Sequence, residues 1–135
     1  MSRSNYSDDC DPAALNRWRG AVRRASTGKR GQAFLAEALT ALDAMPEKRL
    51  TAGELDGDLG CCVLGAVSRQ RGIDVLPIDP EDYDAVAFTF GIAPALAREI
   101  VYINDEAHWG DETDEQRWSR VRRWVASQIG AEETR

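Results

Sequence analysis

The chain has 135 residues, 43% of them hydrophobic and 30% charged, with a formal net charge of −6. That is enough for one domain with its own core, without metal or disulfide staples, and it is not the composition of a disordered chain. The negative balance argues against a general nucleic-acid binder, no apolar run approaches the roughly 18 residues of a membrane span, and the first nine residues hold no apolar stretch for secretion, so a cytoplasmic protein without membrane contact is expected.

Residues 1–10 are polar and without periodicity and read as a flexible tail. Asp11-Pro12 reads as an N-cap followed by proline at the first helical position, where the missing N–H costs nothing. A first helix then runs to about Ala25, with Leu15, Trp18, Val22 and Ala25 as its apolar stripe. Gly28 and Gly31 break the chain. A second helix, Gln32 to Met45, carries Phe34, Leu35, Ala38, Leu39, Leu42 and Met45 on a broad core face, and Pro46 ends it. Residues 50–60 are rich in breakers and read as loop, with at most a minor extended piece. Cys61 to Arg71 is a third helix closed by Gly72, and Gly65 inside it implies close packing against another element.

A fourth helix spans Pro80 to Phe90 and stops at Gly91. A fifth opens near Pro94 and continues through Leu96, Ala97, Ile100, Val101 and Ile103 until Asn104-Asp105 stops it. Thr113-Asp114-Glu115-Gln116 is a capping-box pattern opening a last helix to Ile129, with Gly130 behind it and residues 131–135 as a second tail. The expectation is an all-α fold, a compact single domain over residues 11–130 built from five to six short helices.

The charge is segmented. Pro12 to Phe34 holds six bases and no acid, Thr51 to Glu115 holds fifteen acids against three bases, and Gln116 to Arg135 returns to +3. The three cysteines, Cys10, Cys61 and Cys62, are an odd count with two adjacent, which fits a reducing compartment. On the last helix Trp118, Val121, Val125 and Ile129 share the core side, while Arg117, Arg120 and Trp124, with Arg123 at the edge, form a strip that can grip phosphates or anchor a protein. Asp79, Glu81, Asp82 and Asp84 combine a cap with first-turn carboxylates.

No metal or cofactor is expected. Placing Gly110 at position six of a calcium loop puts Ala107 and Trp109 at ligand positions three and five and Gln116 at twelve, so the EF-hand pattern fails. Cys61 or Cys62 near a helix N-terminus, with His108 and Asn104 or Asp105, would be the ingredients of a cysteine-dependent hydrolase. The apolar run around the cysteines favours a core role instead.

Cys62-Val63-Leu64-Gly65-Ala66 and Ile103-Asn104-Asp105, followed by a Thr-capped helix, resemble a group of small proteins encoded by phages and prophages. In them a Cys-x-Leu-Gly-Ala helix precedes an Ile-x-x-x-Asn-Asp element. The resemblance covers residues 32–129 and brings no catalytic residues with it. The doubled cysteine and the arginine-rich first helix depart from the pattern. The resemblance implies a phage context; together with the fifteen acids across the middle, which can present an anionic face to a nucleic-acid-binding groove, it gives the expectation of a non-enzymatic phage accessory protein that binds and inhibits a host protein or ribonucleoprotein complex, as anti-CRISPR and other counter-defence proteins do. Asp79, Glu81, Asp82, Asp84, Arg117, Arg120, Arg123 and Trp124 are the candidate partner-binding residues. The alternatives are a nucleic-acid-binding regulator using Arg17, Arg19, Arg23, Arg24 and the last helix, and the cysteine enzyme. A homodimer formed by pairing acidic and basic regions is a further expectation.

Overall fold

A computed structural model describes residues 12–53, 55–57, 60–106 and 111–130. The tails expected at residues 1–10 and 131–135, Cys10, the Asp11 cap and His108 lie outside them. Six helices follow in order: α1 (Pro12–Thr27), α2 (Lys29–Ala44), α3 (Val63–Arg71), α4 (Tyr83–Phe90), α5 (Pro94–Asp105) and α6 (Asp114–Gln128). Before α3, β1 (Asp56–Gly57) pairs antiparallel with β2 (Gly60–Cys61), Asp56 opposite Cys61 and Gly57 opposite Gly60. The fold is all-α with a minor β element, as the residue pattern implies.

α1 and α2 are separated only by Gly28, whose extended backbone turns the chain. Gly31, expected as a second breaker, lies inside the first turn of α2. A Cβ there would sit 1.8 Å from the Ala25 carbonyl oxygen, so the glycine lets the two helices touch backbone to backbone. The Gln32 side chain closes this corner by donating to the Ser26 carbonyl at 2.8 Å and to the Gln128 carbonyl of α6 at 2.8 Å. α2 buries Phe34, Leu35, Ala38, Ala41 and Leu42 between α3 and α6.

α3 begins at Val63, later than the expected Cys61. Cys61 belongs to the strand pair, and Cys62 is the extended residue that caps the helix. Residues 63–68 are buried on every side. Gly65 makes this enclosure possible, because a Cβ on it would meet the Leu55 carbonyl oxygen at 1.9 Å. Gly72 ends the helix in the left-handed region at φ 72°, which glycine adopts without steric penalty.

α4 also starts later than expected. Asp79-Pro80 forms a turn, with the Asp79 carboxylate accepting from Glu81 N at 2.9 Å, and Asp82 is the residue that caps the helix through Ala85 N at 3.1 Å. Gly91, at φ 75°, ends α4, and the chain bends by 103° into α5. Pro94 at the head of α5 and the reciprocal Thr113–Gln116 capping box of α6 are as the sequence implies. α5 lies against α1 and α4 and also reaches α3 and α6. Leu35, Leu42, Leu50, Leu64, Leu96 and Ile100 are fully enclosed, each contributing about 1.5–3 kcal/mol by burial. Among the described residues no single helix is long and apolar enough to cross a membrane.

Candidate functional site

The arginines of α6 do not form the open strip that helical spacing suggests. Arg117 is buried, with 8% of its surface exposed. Its Nε donates to the Asn104 carbonyl at 3.0 Å, and one terminal nitrogen reaches the Leu50 carbonyl at 3.3 Å and Asp114 at 3.2 Å. Arg120 grips the buried Glu112 carboxylate with Nε at 2.6 Å and a terminal nitrogen at 3.0 Å, and donates to the Ile103 carbonyl at 2.7 Å. Both guanidinium groups therefore satisfy carbonyls that the end of α5 leaves without helical partners. Trp124 is half-buried against the core, so Arg123 is the candidate on this helix that stays exposed. Ile129, expected on the core side, lies beyond the last helical residue and is partly exposed.

Asn104 and Asp105 have the structural role their position suggests. The Asn104 amide nitrogen donates to the Thr51 carbonyl at 2.9 Å and to Asp105 at 2.8 Å, and Asp105 accepts from Gly53 N at 3.2 Å. The last residues of α5 thereby hold the loop that leads into the strand pair. Elsewhere, Arg122 pairs with Asp43, Arg71 with Glu37 and Arg69 with Asp56. The Arg122 and Arg71 guanidinium groups hold the Asp43 and Glu37 carboxyls below their ordinary range.

Neither Cys61 nor Cys62 is in a disulfide, and both are buried. Burial pushes the Cys61 thiol up to about 12, so at neutral pH it carries its proton and is a poor nucleophile. His108, the histidine a cysteine mechanism would use, lies outside the described residues. Among the described residues no three His, Cys, Asp or Glu side chains converge as a metal site would require.

Two sets of charges have no ion-pair partner among the described residues. On α1 and the head of α2, Arg17, Arg19, Arg23, Arg24, Lys29 and Arg30 are all exposed, and their side chains make no ion pair among the described residues. At α4, Asp79, Glu81, Asp82 and Asp84 are all exposed. Asp79 and Asp82 accept backbone N–H groups, while Glu81 and Asp84 have no side-chain partner among the described residues.

Asp84 and Phe88 are four residues apart within α4, which places them on one helical face, while Glu81 stands in the turn before the Asp82 cap. Phe88 is 89% exposed, more than any other large apolar side chain described, and Leu76 follows at 72%. Reading the sequence alone misses Phe88, although a signal was there: Tyr83, Val86, Ala87 and Phe90 make the inward stripe of α4, and Phe88 falls off it.

Between α1 and the start of α4 lies an open groove of about 450 Å³. Trp18, Tyr83, Pro94 and Arg98 line it together with Glu81, Asp82 and Asp84. The Arg98 guanidinium sits 4.1 Å from the Trp18 ring centre and 5.8 Å from that of Tyr83, a cation–π arrangement that fixes α1 to α5. No protein-family model, curated protein sequence or solved structure matches the chain.

Proposed function

We propose that this chain is a non-enzymatic accessory protein that binds and inhibits a host macromolecular complex through the outer face of α4. Asp79, Glu81, Asp82 and Asp84 supply the charge, and Phe88 is the apolar anchor. The observation that carries the reading is the 89% exposure of Phe88 on a helix whose other face is well packed. A phenylalanine left in water forgoes roughly 1.5–3 kcal/mol of burial, and interfaces draw much of their affinity from a few such aromatic side chains. The neighbouring carboxylates steer the anchor toward a basic surface and speed association. A nucleic-acid-binding groove on a protein or ribonucleoprotein complex has that character, and an acidic face seated in it excludes the natural ligand. The likeness to phage-encoded proteins supports counter-defence, in the manner of an anti-CRISPR protein, as the specific form of this activity.

The test is capture from host-cell lysate with three baits: the native chain, Phe88→Ser, and Glu81→Lys with Asp84→Lys. A partner held by the native chain at low salt and lost by both variants, with circular dichroism and melting unchanged, supports the reading. Equal recovery of the same proteins by all three overturns it.

A second reading is favoured by the six exposed cations of α1 and the head of α2, which make no ion pair among the described residues and suit a phosphate backbone. α6 adds little to it, since Arg117 and Arg120 face inward. A mobility-shift titration at low salt decides: no shift at micromolar protein removes nucleic-acid binding, and a shift abolished by Arg17→Glu with Arg24→Glu establishes it.

A further inference from the structure

We infer, building on the nucleic-acid reading above, that α1 binds double-stranded DNA by lying in the major groove, with one row of its arginines on the phosphates of each strand. Arg17, Arg19, Arg23 and Arg24 of α1 and Lys29 and Arg30 of α2 are exposed and make no ion pair among the described residues. Arg69, Arg71, Arg117, Arg120 and Arg122, by contrast, each have a carboxylate of the same chain within 3.5 Å. Lys29 and Arg30 also stand in the first turn of α2, which holds no acid, where the positive end of the helix disfavours cations. The chain thus crowds like charges where they repel one another and the helix end, a repulsion that a polyanion relieves.

These cations are ordered about the axis of α1. Arg19 and Arg23 lie within about 40° of each other on the cylinder, Arg17 and Arg24 within about 20°, and the two rows are about 100–160° apart. Between the rows fall Ala13, Asn16 and Gly20, all short. Ala13 and Asn16 are exposed, and a Cβ on Gly20 would come 3.3 Å from a terminal nitrogen of Arg24. The strip is therefore low, and the long side chains reach past it on both flanks. A helix about 10–12 Å across enters the major groove of B-form DNA, which is about 12 Å wide, and its flanks then face the phosphates of both strands.

The corner between α1 and α2 extends this face rigidly. Gly31 meets Ala25 backbone to backbone, and Gln32 donates to the Ser26 carbonyl at 2.8 Å. Lys29 and Arg30 thereby hold a fixed place beyond Arg24 in the last turn of α1.

Other polyanions fit this face less well. Single strands are held by stacking bases on aromatic rings, and Trp18, the aromatic residue of α1, lies about 170° from the centre of the strip with Arg98 against its ring. The major groove of duplex RNA is too deep and narrow for side chains to read. An acidic protein offers carboxylates without the two regular phosphate rows that arginines on opposite flanks match.

The experiment is fluorescence anisotropy with the full chain and three probes of one mixed sequence: duplex DNA, its single strand and duplex RNA. At about 50 mM salt, where phosphate contacts dominate binding, duplex DNA is expected to bind at least about tenfold more tightly than the other two. The bound protein should displace methyl green, a major-groove dye, and leave netropsin in the minor groove. Arg17→Gln with Arg24→Gln, and separately Arg19→Gln with Arg23→Gln, change exposed side chains, so melting should be unchanged. Each pair should weaken binding and reduce the slope of log K against log salt by about two, since each phosphate contact contributes about 0.9. No binding to any probe removes this inference and the nucleic-acid reading together. Binding to the single strand or to duplex RNA as tight as to duplex DNA leaves that reading standing and overturns major-groove docking. Displacement of netropsin instead of methyl green overturns it too, as does a row whose loss leaves the salt slope unchanged. Polyglutamate that competes as well as unlabelled duplex overturns it in favour of an acidic protein partner.

Discussion

Glu112 shows what the arginines of α6 are for. Its carboxylate side chain is 8% exposed and is met by Arg120 at 2.6 Å and by Arg117 at 3.5 Å. Burying a carboxylate is costly unless it is paired, and removing one partner leaves the other charge stranded. Arg120→Ala is therefore expected to cost about 3–5 kcal/mol in urea unfolding, whereas Arg120→Met combined with Glu112→Leu recovers most of that loss.

The Glu37–Arg71 pair is a milder, exposed case, with guanidinium nitrogens 2.7 Å from both carboxylate oxygens. Because the hydrogen bond from Arg71 lowers the Glu37 pKa on folding, the pair stabilises the protein above the unfolded carboxylate's pKa and stops doing so as the pH falls through the folded value. Thermal melts taken from neutral pH downward should show a shallower acid loss in Glu37→Gln than in the native chain. Read from the sequence, Arg117 and Arg120 lie on the side away from Val121 and Val125, but Arg117 is four residues before Val121, within about 40° of it on the cylinder, and is buried with it. What the two arginines meet, the end of α5 and the loop carrying Glu112, is a matter of packing between segments 8 to 17 residues away in sequence.

At the level of elements, the six helices were legible because proline, glycine and capping residues mark their ends. The starts that shifted had two competing signals. Asp79-Pro80 reads as the cap and first residue of α4, with Asp82 in the first turn, but Asp79 closes a turn of its own and Asp82, an equally good capping residue, takes the cap. Cys61 reads as helical, but its pairing with Asp56 draws it into a strand, a contact no local pattern reports. Gly65 illustrates the converse: its cost to the helix signalled a close approach, and the Leu55 carbonyl is what approaches. Gly65→Ala is expected to destabilise by about 1–3 kcal/mol or more, as overpacking does, despite the better intrinsic helix propensity of alanine. Chemical denaturation measures the balance, and a gain in stability would mean that α3 can shift away from the strand pair without penalty.

Across the whole molecule, fold class followed from the sequence because every stretch of periodic apolar residues had the helical period. The functional surface followed less well. The segment charges separated a basic start from an acidic middle, yet the closeness of α1 to the head of α4 depends on both helices packing against α5, a relation between residues some 65 positions apart. The exposed Phe88 was missed for a different reason: in so apolar a helix every large side chain reads as core unless the Tyr83, Val86, Ala87 and Phe90 stripe is separated from the rest.

The way α5 ends has a consequence for how the protein opens. The Tyr102 carbonyl is met by Glu106 N within its own segment, but those of Ile103 and Asn104 depend on guanidinium groups that arrive from α6, and the Leu50 amide depends on the Asp114 carbonyl. The final turn of α5, the first turns of α6 and the entry to the strand pair thus share one set of supports. They should come apart as a single cooperative unit rather than fray one by one. In native-state hydrogen exchange, the amides of Leu50, Glu106 and Arg117 should report a common opening free energy, and Arg120→Ala should lower all three together.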